Sequence, residues 1–219
     1  MHPGWLSNAY LVADEEGGAA VFVDSGAPME PLFDAAERWR VRPSHVLRTH
    51  ADPDHVEHEA ELGLPVVTGL IEVGGLRVEV GGLRVEALPT PGHKDDHLAF
   101  VTNGEACFSG DVLFKDAVGG GDFEQIRRSV MDVLMRLPHE VRVYPGHTDE
   151  TTIGREWEEN PFIRVWRGID PEGTDPCRVS GQDATLVVWS PDYDGKGKAW
   201  VRFPDGRDAI VGGSRIERL

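Results

Sequence analysis

Residues 45–55 read HVLRTHADPDH, and this stretch decides the fold. The apolar pair Val46 and Leu47 leads directly into four potential metal ligands, which are His50, Asp52, Asp54 and His55. One helix face does not account for them, because Pro53 interrupts regular backbone hydrogen bonding. The pattern therefore predicts a buried strand followed by a loop that directs all four side chains toward one or two cations.

Three later apolar runs end in the same way. His93 follows LRVEALPTPG, Asp111 follows ACFSG and His147 follows VRVYPG, so each is the first ionisable side chain after its strand. Binding sites in α/β proteins form where several strands end at one edge of a sheet. A single histidine is usually structural or solvated, but four strand ends with the same ending predict a metal centre.

The rest of the body alternates strand-length apolar runs with amphipathic stretches. The sequence predicts helices at 31–39, 56–63 and 123–137, because their apolar residues recur at helical spacing. Asn103 and Gly104 between two apolar runs predict a tight hairpin. This alternation indicates an α/β fold for residues 1–170.

The C-terminal part of the chain differs from the body in net charge and in predicted secondary structure. Residues 176–219 carry a net charge of +1, whereas residues 1–175 carry −17. Three β segments are predicted, at 184–190, 198–203 and 208–213, with Trp189 and Trp200 as core positions. We therefore expect residues 177–219 to form a small all-β domain that packs on the body or on a second subunit and supplies no catalytic residue.

Composition limits the class of function. The chain has 219 residues, of which 40% are hydrophobic and 27% charged, as in ordinary globular proteins. Its net charge of −16 argues against nucleic acid or an anionic membrane as partner. The sequence shows no signal peptide or membrane-spanning run, and its two cysteines predict free thiols. We expect a cytoplasmic protein with a small-molecule substrate and, as a candidate assembly, a homodimer.

The ordered motifs THADPDH, PTPGH, FSGDVLF and VYPGHTDE resemble those of the metallo-β-lactamase fold superfamily, in particular its glyoxalase II-like (hydroxyacylglutathione hydrolase-related) branch. The early elements Asn8-x-x-Leu11 and Val23-Asp24-x-Gly26 extend the resemblance over residues 5–163. The resemblance implies an αββα sandwich with a two-metal site at the edges of its sheets, here followed by the small β appendage.

The resemblance also implies the ligand set. One metal ion would be held by His50, Asp52 and His93, and the other by Asp54, His55 and His147. Asp111 would bridge the two ions, and Asp24 would support the ligand loop from behind.

One position departs from the family pattern, because Asp52 stands where the family usually has histidine, which gives H-x-D-x-D-H. A third carboxylate makes the site richer in oxygen and favours iron or manganese over zinc. The charges of three carboxylates and one bridging hydroxide balance two divalent cations. The alternative is that Asp52 leaves the first metal position empty, with a mononuclear or inactive site.

The resemblance implies a binuclear metallohydrolase that cleaves a thioester with a metal-bridging hydroxide, with Asp54 and Asp111 as catalytic residues. The helical domain that binds glutathione in that branch is absent, so specificity for glutathione is not implied. The alternative is a non-haem iron oxidoreductase, like flavodiiron proteins or persulfide dioxygenases of the same fold. A non-enzymatic interaction module is a third reading, against which the intact residues His93, Asp111 and His147 argue.

A few further residues are weaker candidates. His97 is interpreted as structural or as a support of the ligands, and His58 as part of a solvated helix face. Lys115 has the position to reach a substrate carboxylate, although a solvated lysine is the commoner case. In the C-terminal part, only Asp192 and Tyr193 are candidates to reach a substrate.

Overall fold

The computed structural model describes residues 1–68 and 76–219. The first sheet contains the strands β1 Tyr10–Ala13, β2 Ala19–Val23, β3 Arg42–Leu47 and β4 Val66–Val67. Their order is β1-β2-β3-β4, with β1 antiparallel to β2 and the remaining pairs parallel. The predicted strand before the ligand loop is therefore confirmed as β3.

A second sheet faces the first. Its strands are β5 Leu76–Val80, β6 Leu83–Pro89, β7 Leu98–Thr102, β8 Ala106–Gly110, β11 Arg142–Pro145 and β12 Thr151–Thr152. They lie in the order β12-β11-β8-β7-β6-β5. The short strands β9 Leu113–Phe114 and β10 Ala117–Val118 form a separate antiparallel pair. The turn between β7 and β8 has φ of 53° at Asn103 and 73° at Gly104, which confirms the predicted hairpin.

The two sheets enclose one apolar layer, and helices cover their outer faces. Val21 and Val23 point inward against Phe100 and Phe108 of the second sheet. The intervening side chains point outward, as the period of two in a strand requires. The helices are α1 Glu30–Trp39, α2 Pro53–Val56, α3 Glu59–Leu62, α4 Phe123–Arg128, α5 Ile153–Glu159 and α6 Pro161–Trp166. This arrangement is the αββα sandwich expected from the sequence.

Two predicted helices are shorter than their apolar spacing indicates. Residues 56–63 contain only the last residue of α2, Val56, and the single turn α3, because the His58 N–H donates to the Ser25 carbonyl outside the helix. The stretch 123–137 is α-helical only to Arg128, and a π turn, Ser129–Val133, and a 3-10 turn, Leu134–Arg136, follow. Apolar spacing identifies the buried face of such a segment but not how it is wound. No helix of the described residues has both the length and the apolar character needed to cross a membrane.

The C-terminal residues form a sheet of their own with five strands instead of the predicted three. The strands are β13 Asp175–Val179, β14 Gln182–Ser190, β15 Lys198–Arg202, β16 Asp208–Gly212 and β17 Ile216–Arg218. They are antiparallel in the order β16-β15-β14-β13-β17. Val187, Val188, Trp200 and Ile210 share an apolar cluster with the body, so this sheet packs on the body. The division into domains 1–170 and 177–219 stays a prediction.

The two tryptophans of this sheet differ in burial, and only one of them is a core residue. Trp200 is 4% exposed and its ring lies 5.0 Å from that of Phe123, whereas Trp189 is 42% exposed. The prediction that both are core positions is therefore wrong for Trp189. Val188 pairs with Trp200 across β14 and β15, so Val188 and not Trp189 shares the face that meets the body.

We expect Trp200→Ala to lower the free energy of unfolding by about 3 kcal/mol, because it leaves a cavity between the C-terminal sheet and the body. Chemical denaturation measures this change. Trp189→Ala is the matched control, with an expected loss below about 1 kcal/mol. Equal losses for the two variants would contradict the shared core.

Candidate metal centre

The strands bring the predicted ligands to one edge of the sandwich. His50 follows β3 of the first sheet, while His93, Asp111 and His147 follow β6, β8 and β11 of the second. Strands β8 and β11 are parallel, and β6 has the same direction because β7 is antiparallel to both β6 and β8. Asp52, Asp54 and His55 lie at the start of α2, directly after His50. All seven predicted residues therefore meet at one place.

The seven side chains form overlapping groups, each with ligand atoms within 4.8 Å of one another. The groups are His50, Asp52 and His93; His50, His55 and Asp111; and Asp54, His55 and His147. Asp52 Oδ2 lies 3.3 Å from His93 Nε2, and Asp54 Oδ2 lies 3.5 Å from His147 Nε2. The first and third groups match the two ligand sets that the resemblance implies.

Asp111 connects the two sides of the centre. Its Oδ1 lies 3.4 Å from His55 Nε2, and its Oδ2 lies 3.3 Å from His147 Nε2 and 3.9 Å from His93 Nε2. Gly146 makes room for this carboxylate, since a Cβ there would lie 2.3 Å from Asp111 Oδ1. Asp111 therefore lies between members of the two predicted ligand sets, and its bridging role stays a prediction.

Each of the four histidines is held through Nδ1, which leaves Nε2 toward the centre. His93 Nδ1 donates to the Gly120 carbonyl at 2.9 Å, and His147 Nδ1 donates to the Leu6 carbonyl at 3.0 Å. A carbonyl accepts only, so Nδ1 of these two rings carries a proton, and Nε2 is the nitrogen left to bind a metal ion. The contacts of the other two rings are His50 Nδ1 with Thr49 Oγ1 at 3.0 Å and His55 Nδ1 with Asp24 Oδ2 at 2.8 Å.

Three buried polar atoms show that the centre fits a cation. His50 Nε2, His55 Nε2 and Asp111 Oδ1 are buried without a hydrogen-bond partner within residues 1–68 and 76–219. Each such atom costs about 1–3 kcal/mol when it stays unsatisfied. Imidazole nitrogens and carboxylate oxygens are ordinary ligands of divalent zinc, iron and manganese, so bound ions would satisfy all three atoms.

Burial and neighbouring charges shift the pKa values of the buried histidines His50 and His55 in opposite directions. Burial, and next the charge of His55, lowers the pKa of His50 to about 2, so its ring is neutral. Burial alone would lower the pKa of His55, but Asp24 and Asp111 raise it to about 11. Burial alone would raise the pKa of Asp111, but contacts with His147 and His55 hold it well below its ordinary value. Binding of a metal ion at His55 Nε2 therefore releases a proton.

Lys94, which the sequence reasoning missed, pairs with Asp52. Lys94 Nζ lies 2.6 Å from Asp52 Oδ1, while Asp52 Oδ2 lies near His93 and 3.8 Å from His50 Nε2. One carboxylate oxygen is thus used by the lysine, and the other is left for a metal ion. The lysine also offsets the negative charge that Asp52 adds to the centre. The feature of the sequence that could have identified Lys94 is its position directly after the predicted ligand His93.

Asp24 supports the ligand loop from behind, as the resemblance implies. It is buried, and its carboxylate accepts hydrogen bonds from the Thr49 N–H and the Thr49 hydroxyl, each at 2.8 Å. The same carboxylate contacts His55 Nδ1, so it fixes both the strand end and one ring. Its backbone has a φ of 54°, a conformation that aspartate adopts more readily than most residues.

His97 and His58 do not face the centre with a free nitrogen. His97 Nε2 accepts the Asp111 N–H at 3.1 Å, so its Nδ1 carries the proton and donates to Thr90 Oγ1 at 2.8 Å. Burial lowers the pKa of His97 to about 3, which keeps the ring neutral. His58 contacts Glu57 and Glu61 instead of the ligands. These positions agree with their interpretation as supporting and solvated residues.

The chain matches no protein-family model. It is 27% identical to hydroxyacylglutathione hydrolase GloC of Haemophilus influenzae over 71% of this chain and 92% of that protein. Among solved structures, it superposes on the BLEG-1 B3 metallo-β-lactamase with a TM-score of 0.65 at 25% identity, over 73% of this chain and 96% of that one. TTHA1623 in a di-iron-bound form gives a TM-score of 0.60 at 32% identity, over 74% and 98%.

The αββα sandwich, the ligand groups at its edge and these similarities define one class. The chain belongs to the metallo-β-lactamase superfamily, whose members bind divalent metal ions. Within it, the chain is a metalloenzyme related to metallohydrolases, among them hydroxyacylglutathione hydrolase. The third reading, a non-enzymatic module, therefore finds no support.

Proposed function

We propose that the chain hydrolyses a thioester at a centre of two divalent metal ions. The observation that carries the proposal is the position of Asp111, whose Oδ2 lies near both His93 and His147, one from each predicted ligand set, while its Oδ1 lies near His55. The similarity to a hydroxyacylglutathione hydrolase supports a thioester as the substrate class.

When bound, two divalent cations supply a water-derived nucleophile near neutral pH and a Lewis acid for the carbonyl oxygen. The chain's own residues would hold the two cations, balance their charge and accept a proton from the water. Asp54 is partly exposed and contacts His147 and His55 through Oδ2, so its carboxylate has the position to take the proton of the attacking water. A thiolate leaving group needs little protonation, which suits a site without a further general acid. Hydrolysis converts the thioester and one water molecule into a carboxylic acid and a thiol.

We expect the purified protein to carry about two metal ions per chain, with iron or manganese exceeding zinc when all three are supplied equally. The reason is the third carboxylate, Asp52, which lies within contact of His50 and His93. Elemental analysis measures both quantities. One ion or none would contradict the binuclear centre, and zinc alone would contradict the metal preference.

Turnover on short-chain thioesters, measured by thiol release with added iron, manganese or zinc, tests the proposed function directly. We expect metal-dependent hydrolysis that a chelator abolishes. A protein that holds two metal ions but releases no thiol from any thioester would contradict the proposal.

A second candidate function is that of a non-haem iron oxidoreductase. It is favoured by Asp52 and by the similarity to a protein solved in a di-iron-bound form. Oxygen consumption by the iron-loaded protein in the presence of a reductant or a persulfide would identify this class. The cytoplasmic location, the small-molecule substrate and the homodimer stay predictions.

A further inference from the structure

A cavity of about 380 Å³ lies beside the metal centre on the side of His147. Residues from four separate parts of the chain line it, and those that matter here are Leu6, Lys115, Thr148, Asp149, Asp192 and Tyr193. The cavity adjoins the centre because the Leu6 carbonyl accepts from His147 Nδ1 and Thr148 follows His147 directly. Its size is in the range of pockets that hold part of a small molecule.

Tyr193 of the C-terminal sheet forms the wall between the cavity and the centre. Its ring stacks on His147 with centroids 4.1 Å apart and planes 9° from parallel, and it meets Phe114 edge to face at 5.8 Å. Its phenol has no hydrogen-bond partner in the described part of the chain, and burial raises its pKa, so it stays protonated. The turn that carries Tyr193 therefore reaches a predicted metal ligand.

Among the residues that line the cavity, Lys115 supplies the cationic side chain. Asp116 is paired with Arg155 at 2.8 Å, and Asp192 is paired with Lys198 at 3.0 Å. Within residues 1–68 and 76–219, the ion pair of Lys115 is with Asp149, at 3.6 Å, and the Asp149 side chain is 81% exposed. Such an exposed pair contributes little, so an anion of a bound molecule can replace Asp149 at low cost.

We propose that this cavity is a substrate subsite for a short chain that ends in a carboxylate, with Lys115 binding the carboxylate and Tyr193 packing against the stem. The subsite deepens the proposed function and rests on it for the thioester at the centre. Leu6 and the Tyr193 ring supply the apolar contacts, and Lys115 supplies a charge-assisted hydrogen bond. The carboxylate belongs either to the acyl part or to the thiol part of the substrate.

Non-hydrolysable thioethers, in which a methylene replaces the thioester carbonyl, test the subsite without turnover. Four compounds are needed, with a carboxylate or a carboxamide at the end of either the acyl or the thiol side. Calorimetry on the metal-loaded protein should show about fivefold or stronger preference for carboxylate over carboxamide on one side. The side that shows this preference identifies the part of the substrate that occupies the cavity.

Variants of Lys115 and Tyr193 test whether these residues cause the preference for carboxylate over carboxamide. Lys115→Gln should reduce the ratio of the two affinities to about one, and Lys115→Arg should keep most of it. Lys196→Gln is the matched control, since Lys196 lies in the same turn region as Tyr193 but outside the cavity lining, and the ratio should stay unchanged. Tyr193→Ala should weaken both compounds of the preferred side without a loss of metal.

The outcomes separate the subsite from the proposed function. Equal affinity of the wild type for carboxylate and carboxamide, absence of binding, or a preference that persists in Lys115→Gln would overturn the subsite. A preference that depends on Lys115, in a protein that hydrolyses no thioester, would instead overturn the proposed function and keep the subsite.

Discussion

Asp111→Asn is expected to reduce the metal content from about two ions per chain to one or none and thioester turnover by about a thousandfold or more. Asp111 Oδ1 lies near His55, and Oδ2 lies near His147 and His93, so the carboxylate contacts members of both predicted ligand sets. The amide keeps the shape of the side chain but loses its charge and one acceptor oxygen, so the fold is retained while the bridge is lost. Elemental analysis and thiol release measure the two effects.

His58→Ala is the control for this substitution, since its ring lies near Glu57 and Glu61 and belongs to none of the ligand groups. We expect it to keep both ions and to change turnover less than twofold. His97→Ala removes the acceptor of the Asp111 N–H and should weaken metal binding about 10–100-fold, an effect smaller than that of Asp111→Asn. If folded His97→Ala released metal as completely as Asp111→Asn, the assignment of ligands would be wrong.

Asp24→Ala is expected to lower the free energy of unfolding of the metal-free protein by about 3–5 kcal/mol. The substitution removes one of the two buried carboxylates beside the protonated His55 ring and leaves the Thr49 N–H without its acceptor. Metal affinity should fall about 10–100-fold, because the orientation of His55 is lost as well. Urea denaturation in the presence of a chelator and a competition assay for metal measure these quantities.

Asp34→Ala in the exposed face of α1 removes the same charge without a buried partner. We expect it to change stability by less than about 0.5 kcal/mol and to leave metal affinity unchanged. Similar losses in the two variants would mean that Asp24 acts through net charge alone, contrary to the hydrogen bonds described above.

The strand pattern of the body was predictable because each strand combines an apolar run with a clear end. The nearly continuous apolar runs of β2 and β7, the Asn103–Gly104 turn and the polar ending after Leu47 are all local signals. The winding of residues 123–137 was not predictable in the same way. Ile126, Val130 and Leu134 lie on one buried face whether the chain is an α-helix or includes a π turn.

The short edge strands of the C-terminal sheet had no comparable signal. Strand β17 has three residues, and two of them are exposed, so no apolar alternation marks it. Its place is fixed by pairing with β13, a partner about forty residues earlier in the sequence. Pairing at such separation depends on the complete fold.

That the seven predicted ligands come together was predictable, because they lie at or just after the ends of apolar strands. Of the groups that hold these side chains, Asp24 was predicted and the others were not. The Gly120 and Leu6 carbonyls that accept from His93 and His147 are backbone atoms, which every residue type has. Lys94 and Tyr193 reach the centre through space, from side chains whose sequence context does not mark them as ligands. Resemblance in motifs therefore finds the atoms that face the metal ions more readily than those behind them.

The contact between Tyr193 and His147 has a consequence for biosynthesis. Translation releases a chain from its N-terminal side, and domains fold as they emerge. All predicted ligands, the last of which is His147, leave the ribosome before Tyr193 does. The ligand set can therefore assemble on a nascent chain while the cavity beside it is still open to water, and the C-terminal sheet closes that wall afterwards. This order of synthesis allows the predicted ligands to assemble before the proposed substrate cavity is complete.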